Sequence, residues 1–232
     1  MSIDHILEIV LSLVAVFMAI ILHEVAHGYV AFRLGDPTAR SQGRLTLNPL
    51  AHIDPIGTIL VPLVLAVLNL PLFGWAKPVP INPNYFRNPF RGMLYVAAAG
   101  PGTNVALALF TAGFGRLLLL AVPNSILFGY PSFTTNLTRA VFFLLGMFVI
   151  YNVLLALFNM IPIPPLDGSR VLTYFLPMAG KRFMLAMEQY GFLILIAVIF
   201  IGGVQVIFRA VSPIATGLLG IRWLAAINLF GR

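Results

Sequence analysis

The chain has 232 residues, of which 60% are hydrophobic and 9% are charged. A soluble domain carries about 25% charged residues, so this composition excludes an ordinary soluble enzyme or a disordered chain and indicates an integral membrane protein. The net charge of +7 comes from 14 Lys and Arg against 7 Asp and Glu, and the basic residues are scattered. Because a phosphate-binding face needs clustered positive charge, we expect no nucleic-acid partner.

Cysteine is absent from the chain. A disulfide framework, a thiol nucleophile and a metal held by Cys are therefore excluded, and any metal must be bound by His, Asp or Glu. The first 32 residues contain no Lys or Arg, whereas a secretory signal begins with positive charge. We therefore expect the first apolar run to remain in the mature protein.

Five long apolar stretches and a shorter tail follow one another along the chain. They are residues 6–34, 56–72, 93–122, 140–161 and 192–211, and then the tail 214–230. A helix needs about 20 residues to cross the hydrocarbon core of a bilayer, so stretch 56–72, interrupted by Pro62 and Pro71, is marginal. We predict an all-α, polytopic helical bundle, one membrane-embedded domain over residues 1–232, with a re-entrant or hairpin segment after the first helix.

The positions of Lys and Arg predict how the bundle is oriented. Six lie from the end of the first stretch to the start of the third, namely Arg33, Arg40, Arg44, Lys77, Arg87 and Arg91, and three lie between the fourth and fifth stretches, namely Arg170, Lys181 and Arg182. The connection at residues 122–139 has a single Arg at its end. We expect the N-terminus outside and both basic regions in the cytoplasm, which requires 56–72 to enter and leave on one side. Residues 175–190 read as an amphipathic interfacial helix.

The first span contains the motif His23-Glu24-Val25-Ala26-His27. Positions i and i+4 lie about 40° apart on a helix, so both imidazoles can bind one zinc ion while Glu24 reaches a water molecule beside it. Zinc polarises a carbonyl and acidifies water, and a neighbouring carboxylate can carry a proton to the leaving amine. Ionisable residues in a span cost about 3 kcal/mol each, which disfavours two incidental histidines. The motif predicts a metalloprotease site.

The motif is also expected to lie below the membrane surface. We expect Arg33 to mark the membrane interface. A helix rises about 1.5 Å per residue, so His27 and His23 are predicted to lie about 9 and 15 Å inside it. A substrate that reaches such a metal must itself be a membrane-embedded peptide.

A catalytic zinc ion usually has three protein ligands. The soluble pattern with a third His six residues further on fails, because that residue is Arg33. The remaining candidates are His5, His52, Asp4, Glu8, Asp36, Asp54, Asp167 and Glu188. Asp167 is best placed, since it follows the fourth stretch where three prolines stop the helix and Gly168 permits a tight turn. Its alternative role is to cap the following helix.

Three other places in the sequence allow a structural interpretation as well as a functional one. An Asn in the last turn of a span is costly unless it is paired, so the Asn159 amide could donate to an oxyanion or could join helices. Gly100 and Asn104 fit an ordinary close-packing pattern. His52 and Asp54 lie in a Pro-bounded loop, where a structural turn is the preferred interpretation.

The motif HEVAH in one transmembrane segment and FNMIPIPPLDG at the end of a later one resemble the site-2 protease family of intramembrane zinc metalloproteases. The resemblance extends to GPGTN at residues 100–104, to NPLAHIDPIGT and to FGWAKPVPINP, and so covers most of residues 15–175. It is greatest with compact bacterial members that lack an inserted PDZ domain.

The resemblance implies roles for five residues. His23, His27 and Asp167 would bind one catalytic Zn²⁺, Glu24 would be the general base, and Asn159 would bind substrate or the developing oxyanion. The chain departs from many relatives in one respect, since Pro165 stands where they have Asn or Asp.

Together these features predict a zinc-dependent intramembrane endopeptidase. Its expected partners are the lipid bilayer and a transmembrane protein or signal-peptide substrate, and its expected location is the bacterial inner membrane, with the site near the cytoplasmic side. Because a substrate must be extended to expose its carbonyls, residues 40–56 could form a hairpin that pairs with it.

A metal-ion transporter is the alternative function, and it is disfavoured because the chain lacks repeated halves. An inactive scaffold is disfavoured by the intact motif.

Overall fold

A computed structural model describes residues 3–67 and 75–228. These residues are mostly helical and contain no β-strand, which confirms the predicted all-α class. Helices are expected here because in hydrocarbon every backbone N–H and C=O must find its partner within the protein. The ends of two predicted stretches, residues 68–72 and 229–230, lie outside the described residues.

Eleven α-helices are described in these two ranges. They are α1 Ile3–Arg33, α2 Thr38–Ser41, α3 Val61–Val67, α4 Pro89–Ala121, α5 Asn124–Leu127, α6 Phe133–Asn159, α7 Asp167–Phe175, α8 Met178–Met187, α9 Gly191–Val198, α10 Val204–Leu219 and α11 Ile221–Asn228. Short 3₁₀ or π turns occupy Pro49–His52, Pro55–Leu60, Pro83–Tyr85, Glu188–Tyr190 and Ile199–Gly203.

Four helices in the described part of the chain are long and apolar enough to cross a bilayer. They are His5–Arg33, Pro89–Ala121, Phe133–Asn159 and Ile201–Leu219. The first three confirm predicted spans, although α4 and α6 begin earlier than their apolar runs because the side chains of Asn88 and Ser132 cap them. The fourth corrects the prediction of 192–211. Gly202, with φ +97°, breaks that stretch between α9 and α10.

The bundle is built on α1, α4 and α6, which pack against one another, with α10 and α11 against α6. Trp223 of α11 is fully buried, and its indole N–H donates to the Phe142 carbonyl at 2.9 Å. A Cβ at Gly115 would overlap the Trp223 ring. A glycine on α4 therefore makes room for the largest buried side chain of the bundle, whose polar atom is satisfied.

The segment after α1 folds back on itself. The backbone N–H of Trp75 donates to the Gly57 carbonyl at 3.1 Å, and Thr58 Oγ1 donates to the Trp75 carbonyl at 2.8 Å. The two described ends of the segment, at residues 57–58 and 75, therefore lie side by side. The predicted re-entrant or hairpin segment requires this, and its middle, residues 68–74, lies outside the described residues.

Residues 40–56 do not form the strands expected of a substrate-pairing hairpin. They contain the end of α2 and the turn Pro49–His52. Asn48 accepts a hydrogen bond from the Leu50 N–H, and Asp54 accepts from the N–H groups of Ile56 and Gly57. Such local side-chain bonds, next to prolines that cannot donate, favour turns over a ladder.

The two basic regions lie at the same end of the bundle, as predicted. Lys181 Nζ lies 4.5 Å from the centre of the Phe90 ring, at the start of α4. The predicted amphipathic helix 175–190 is present as α8 and the turn that follows it, beginning after Pro177. Its Glu188 pairs with Arg170 of α7 at 3.6 Å.

Candidate metal centre

Three predicted ligands meet between α1 and α7. His23 Nε2 and His27 Nε2 lie 2.9 Å apart, and Asp167 Oδ2 lies 3.2 Å from each of them. Both histidines are 6% exposed. The i, i+4 spacing on α1 brings the imidazoles together, while the end of α6 and the turn after it bring the carboxylate.

The three side chains fit a zinc ion in chemistry and spacing. Zinc–ligand distances of about 2.0–2.2 Å at tetrahedral angles put neighbouring ligand atoms about 3.4 Å apart, close to the separations observed. Asp167 Oδ2 is buried without a hydrogen-bond donor among the described residues. An unpaired buried carboxylate oxygen is costly, and a cation would satisfy it.

The structure does not support the capping role considered for Asp167. Leu166 occupies the cap position of α7 and Asp167 is the first helical residue, with no side-chain capping bond at this helix end. The turn before it is tight, since a Cβ on Gly168 would overlap the Met160 carbonyl.

Two further hydrogen bonds, one from each Nδ1 atom, orient the imidazoles. His27 Nδ1 donates to the Val96 carbonyl at 2.6 Å, and His23 Nδ1 donates to Asn104 Oδ1 at 2.5 Å. A carbonyl can only accept, so Nδ1 of His27 carries its proton and Nε2 presents its lone pair. Both acceptors belong to α4. Such outer contacts fix the tautomer and direction of metal-binding histidines.

Asn104 joins three helices. Its Nδ2 donates to Asn152 Oδ1 on α6 at 2.8 Å and to the Ala19 carbonyl on α1 at 3.4 Å. Asn152 Nδ2 in turn donates to the Phe148 carbonyl. The two backbone carbonyls set the direction of both amides, so the oxygen of Asn104 must face His23.

Sequence reasoning underestimated Asn104 and missed Asn152. The close-packing interpretation of Asn104 is incomplete, because the side chain is completely buried and bonded to a predicted ligand. A signal was present in the sequence. Asn152 lies within an apolar span, and the cost of an unpaired amide in a membrane, applied to Asn159, applies to it as well.

Gly100 allows α4 to approach the metal site closely. A Cβ on it would lie 2.5 Å from His23 Cε1 and would overlap Nε2 of His27. The space that a side chain would fill is therefore the space beside the ligand atoms. The GPGTN stretch places this glycine one helical turn before Asn104, so one face of α4 both leaves room for the site and orients a ligand.

Glu24 follows His23 on α1, and its side chain is half buried. Its Oε2 accepts a hydrogen bond from the backbone N–H of Val79 at 2.8 Å. Asn159 is the last residue of α6, and its Nδ2 donates to the Leu155 carbonyl of the same helix at 3.0 Å. His52 and Asp54 lie elsewhere: His52 Nε2 contacts the Thr46 carbonyl at 2.9 Å, in keeping with a structural turn.

Replacing Asn104 by alanine is expected to weaken zinc binding about 10- to 100-fold, the usual cost of losing such an outer contact. The His23 ring would lose its acceptor and its fixed direction. Competition between the purified protein and a chelating dye measures the affinity. Asn159→Ala removes an amide that contacts neither imidazole and is the control. Equal affinities for the two variants would contradict the role of Asn104.

A buried pair of histidines and a carboxylate, with a second carboxylate beside them in a bundle of apolar helices, is the arrangement of a membrane-embedded metallohydrolase. Residues 67–202 match the model of peptidase family M50. The "Putative zinc metalloprotease YwhC" of Bacillus subtilis is 39% identical over 181 residues, 78% of this chain and 76% of that protein. The chain therefore belongs to peptidase family M50, the site-2 proteases, as the resemblance implied.

Two more distant relatives carry the same form of name. MJ0611 of Methanocaldococcus jannaschii is 34% identical over 169 residues, 73% of this chain and 72% of that protein. Rip2 of Mycolicibacterium smegmatis is 30% identical over 183 residues, 78% of this chain and 63% of that protein. No solved structure gives a significant match. No separate domain is inserted between the helices in the described parts of the chain, as expected of a compact member.

Proposed function

We propose that this protein is a zinc-dependent intramembrane endopeptidase, which hydrolyses a peptide bond within a transmembrane segment. The observation that carries the proposal is the meeting of three ligand atoms within 3.2 Å of one another, beside Glu24, inside an apolar span. Counted from Arg33 at the end of α1, the two histidines lie about 9 and 15 Å along the helix. A substrate must therefore reach them from within the membrane.

Each residue of the site has a separate task in the proposed reaction. His23, His27 and Asp167 would hold one zinc ion. When bound, zinc supplies Lewis acidity, which polarises the scissile carbonyl and acidifies the attacking water. Glu24 accepts the proton of that water and returns it to the leaving amine as the C–N bond breaks. Asn104 and the Val96 carbonyl keep both imidazoles directed at the site.

Asn159 is the proposed donor to the oxyanion that develops on the scissile carbonyl. Its position at the end of α6, eight residues before Asp167, supports this role. Its Nδ2 donates to the Leu155 carbonyl, so the amide must turn away from its own helix when a substrate binds. The proposed substrate, a transmembrane protein or a leftover signal peptide, must be locally unwound because a helix conceals its carbonyls.

The protein is proposed to lie in the bacterial inner membrane with the site near the cytoplasm. The basic residues at the end of α1, the start of α4 and the region of α8 share one end of the bundle. Basic residues near span ends favour the cytoplasmic side. His27 is nearer to that end of α1 than to the other.

Removal of metal is expected to abolish cleavage and to be reversible. Purified protein dialysed against a zinc chelator should lose activity on a labelled transmembrane substrate, and one equivalent of zinc per chain should restore it, because affinity requires all three ligands. Cleavage that persists in chelator would rule out the metalloprotease. Zinc uptake by protein-containing vesicles, without cleavage, would favour the transporter instead.

A further inference from the structure

Residues 75–82, here called the strap, form no helix and contact Glu24 of the site proposed above. Two backbone N–H groups of the strap form hydrogen bonds with residues other than Glu24. The Lys77 N–H donates to the His52 carbonyl at 2.9 Å. The Asn82 N–H donates to Asp36 Oδ2 at 2.7 Å, and Asp36 is completely buried. The strap is therefore fixed on both sides of Val79.

Val79 is the point at which the strap touches the proposed general base. It stands between Pro78 and Pro80, which have no N–H, so its own amide is the only backbone donor of the three. That amide donates to Glu24 Oε2 at 2.8 Å. The side chain of Val79 packs closely on α1, since a Cβ on Gly28 would lie 2.8 Å from its Cγ1.

Arg44 holds the strap at the two residues before Val79. Its Nη2 donates to the Lys77 carbonyl at 2.6 Å and to the Pro78 carbonyl at 3.3 Å. The side chain is 5% exposed, and its Nε has no hydrogen-bond partner among the described residues. Burying a guanidinium costs free energy unless its N–H groups find acceptors. The acceptors that Arg44 finds are the two backbone carbonyls of the strap.

We propose that the Val79 amide, held by Arg44, positions the Glu24 carboxylate for its proton transfers. The amide fixes one carboxylate oxygen, Oε2, which leaves Oε1 to accept the proton of the attacking water. A glutamate on an open helix face would otherwise divide its time among several rotamers. Val79 and Arg44 are thus positioning residues, and the inference rests on the proposed function of Glu24.

The first test compares Val79→Pro with Val79→Ala. Both remove the valine side chain, but only proline removes the N–H. Cleavage of a labelled transmembrane substrate should show kcat about 10- to 100-fold lower for the proline variant than for the alanine variant, because misplacing a reacting group by about 1 Å costs up to that much. KM should differ less than about threefold and both variants should retain one zinc. Equal kcat values, or loss of zinc from a proline variant whose helix content by circular dichroism equals that of the alanine variant, would overturn the proposal.

The second test acts through Arg44, and it remains decisive even where Val79→Pro fails to fold. Arg44→Lys keeps a donor for the two carbonyls and should retain most of kcat, whereas Arg44→Met has none and should lower kcat about 10-fold or more with zinc retained. Equal kcat for the two variants, or a change in KM alone, would overturn the proposal. Failure of the proposed function itself is distinguishable, because the unaltered zinc-loaded protein would then not cleave.

Discussion

Replacing Glu24 by glutamine is expected to lower the rate of peptide-bond cleavage by about 10³-fold while the protein keeps its zinc. The two side chains have nearly the same shape, but an amide cannot take a proton from water. The glutamine oxygen can still accept the Val79 N–H, so the strap should stay in place. Cleavage of a labelled transmembrane substrate and zinc content by mass spectrometry measure the two effects.

Glu8→Gln is the matched control for this experiment. Glu8 is a second carboxylate on α1, near the opposite end of the helix, where it faces His5 at 3.4 Å. The same substitution there should leave both zinc content and cleavage unchanged. A Glu24→Gln variant that cleaves within tenfold of the unaltered protein would contradict the role of Glu24, and one that has lost zinc would place Glu24 among the ligands.

Gly100→Ala is expected to abolish zinc binding and, with it, cleavage. The added methyl group would lie 2.5 Å from His23 Cε1 and overlap His27 Nε2, so one imidazole must turn away or α1 and α4 must separate. Separating them is unfavourable because α4 also supplies the acceptors for both Nδ1 atoms. Zinc content and chelator competition on the purified variant measure the loss.

Gly102→Ala provides an unusually close control. It lies two residues further along α4, where a Cβ would meet nothing within 4 Å. Both substitutions raise helix propensity by the same amount, about 1 kcal/mol, so a difference between them reports on the site alone. If Gly100→Ala bound zinc as tightly as Gly102→Ala, the close approach of α4 to the histidines would be wrong.

The meeting of the three candidate ligands could be predicted because each residue stands out against its local sequence. His23 and His27 repeat at helical spacing in a span where ionisable residues are costly. Asp167 follows a run of prolines that must end a helix. The contacts of Asn104 and Val79 could not be predicted in this way. Each joins residues 55 or more positions apart, and which atoms meet depends on how the helices pack.

The fold, too, could be predicted only in part from the sequence. Apolar length predicts the three spans α1, α4 and α6, because hydrocarbon admits only long helices. It does not predict where α10 begins, which depends on the left-handed backbone of Gly202. Nor does it exclude turns in residues 40–56, where Asn48 and Asp54 bond their own backbone. The hydrogen bonds of Asn48 and Asp54, which hydrophobicity does not report, thus determine the structure of this loop.

The three candidate ligands also join distant parts of the chain. His27 and Asp167 are separated by 140 residues in the sequence, and an unfolded chain would rarely bring them together. An ion that binds only the assembled site stabilises the fold by about 2.7 kcal/mol at a concentration 100 times its dissociation constant. Zinc bound by these residues would thus tie the end of α6 to α1, and the zinc-loaded protein should unfold at a higher temperature than the zinc-free protein.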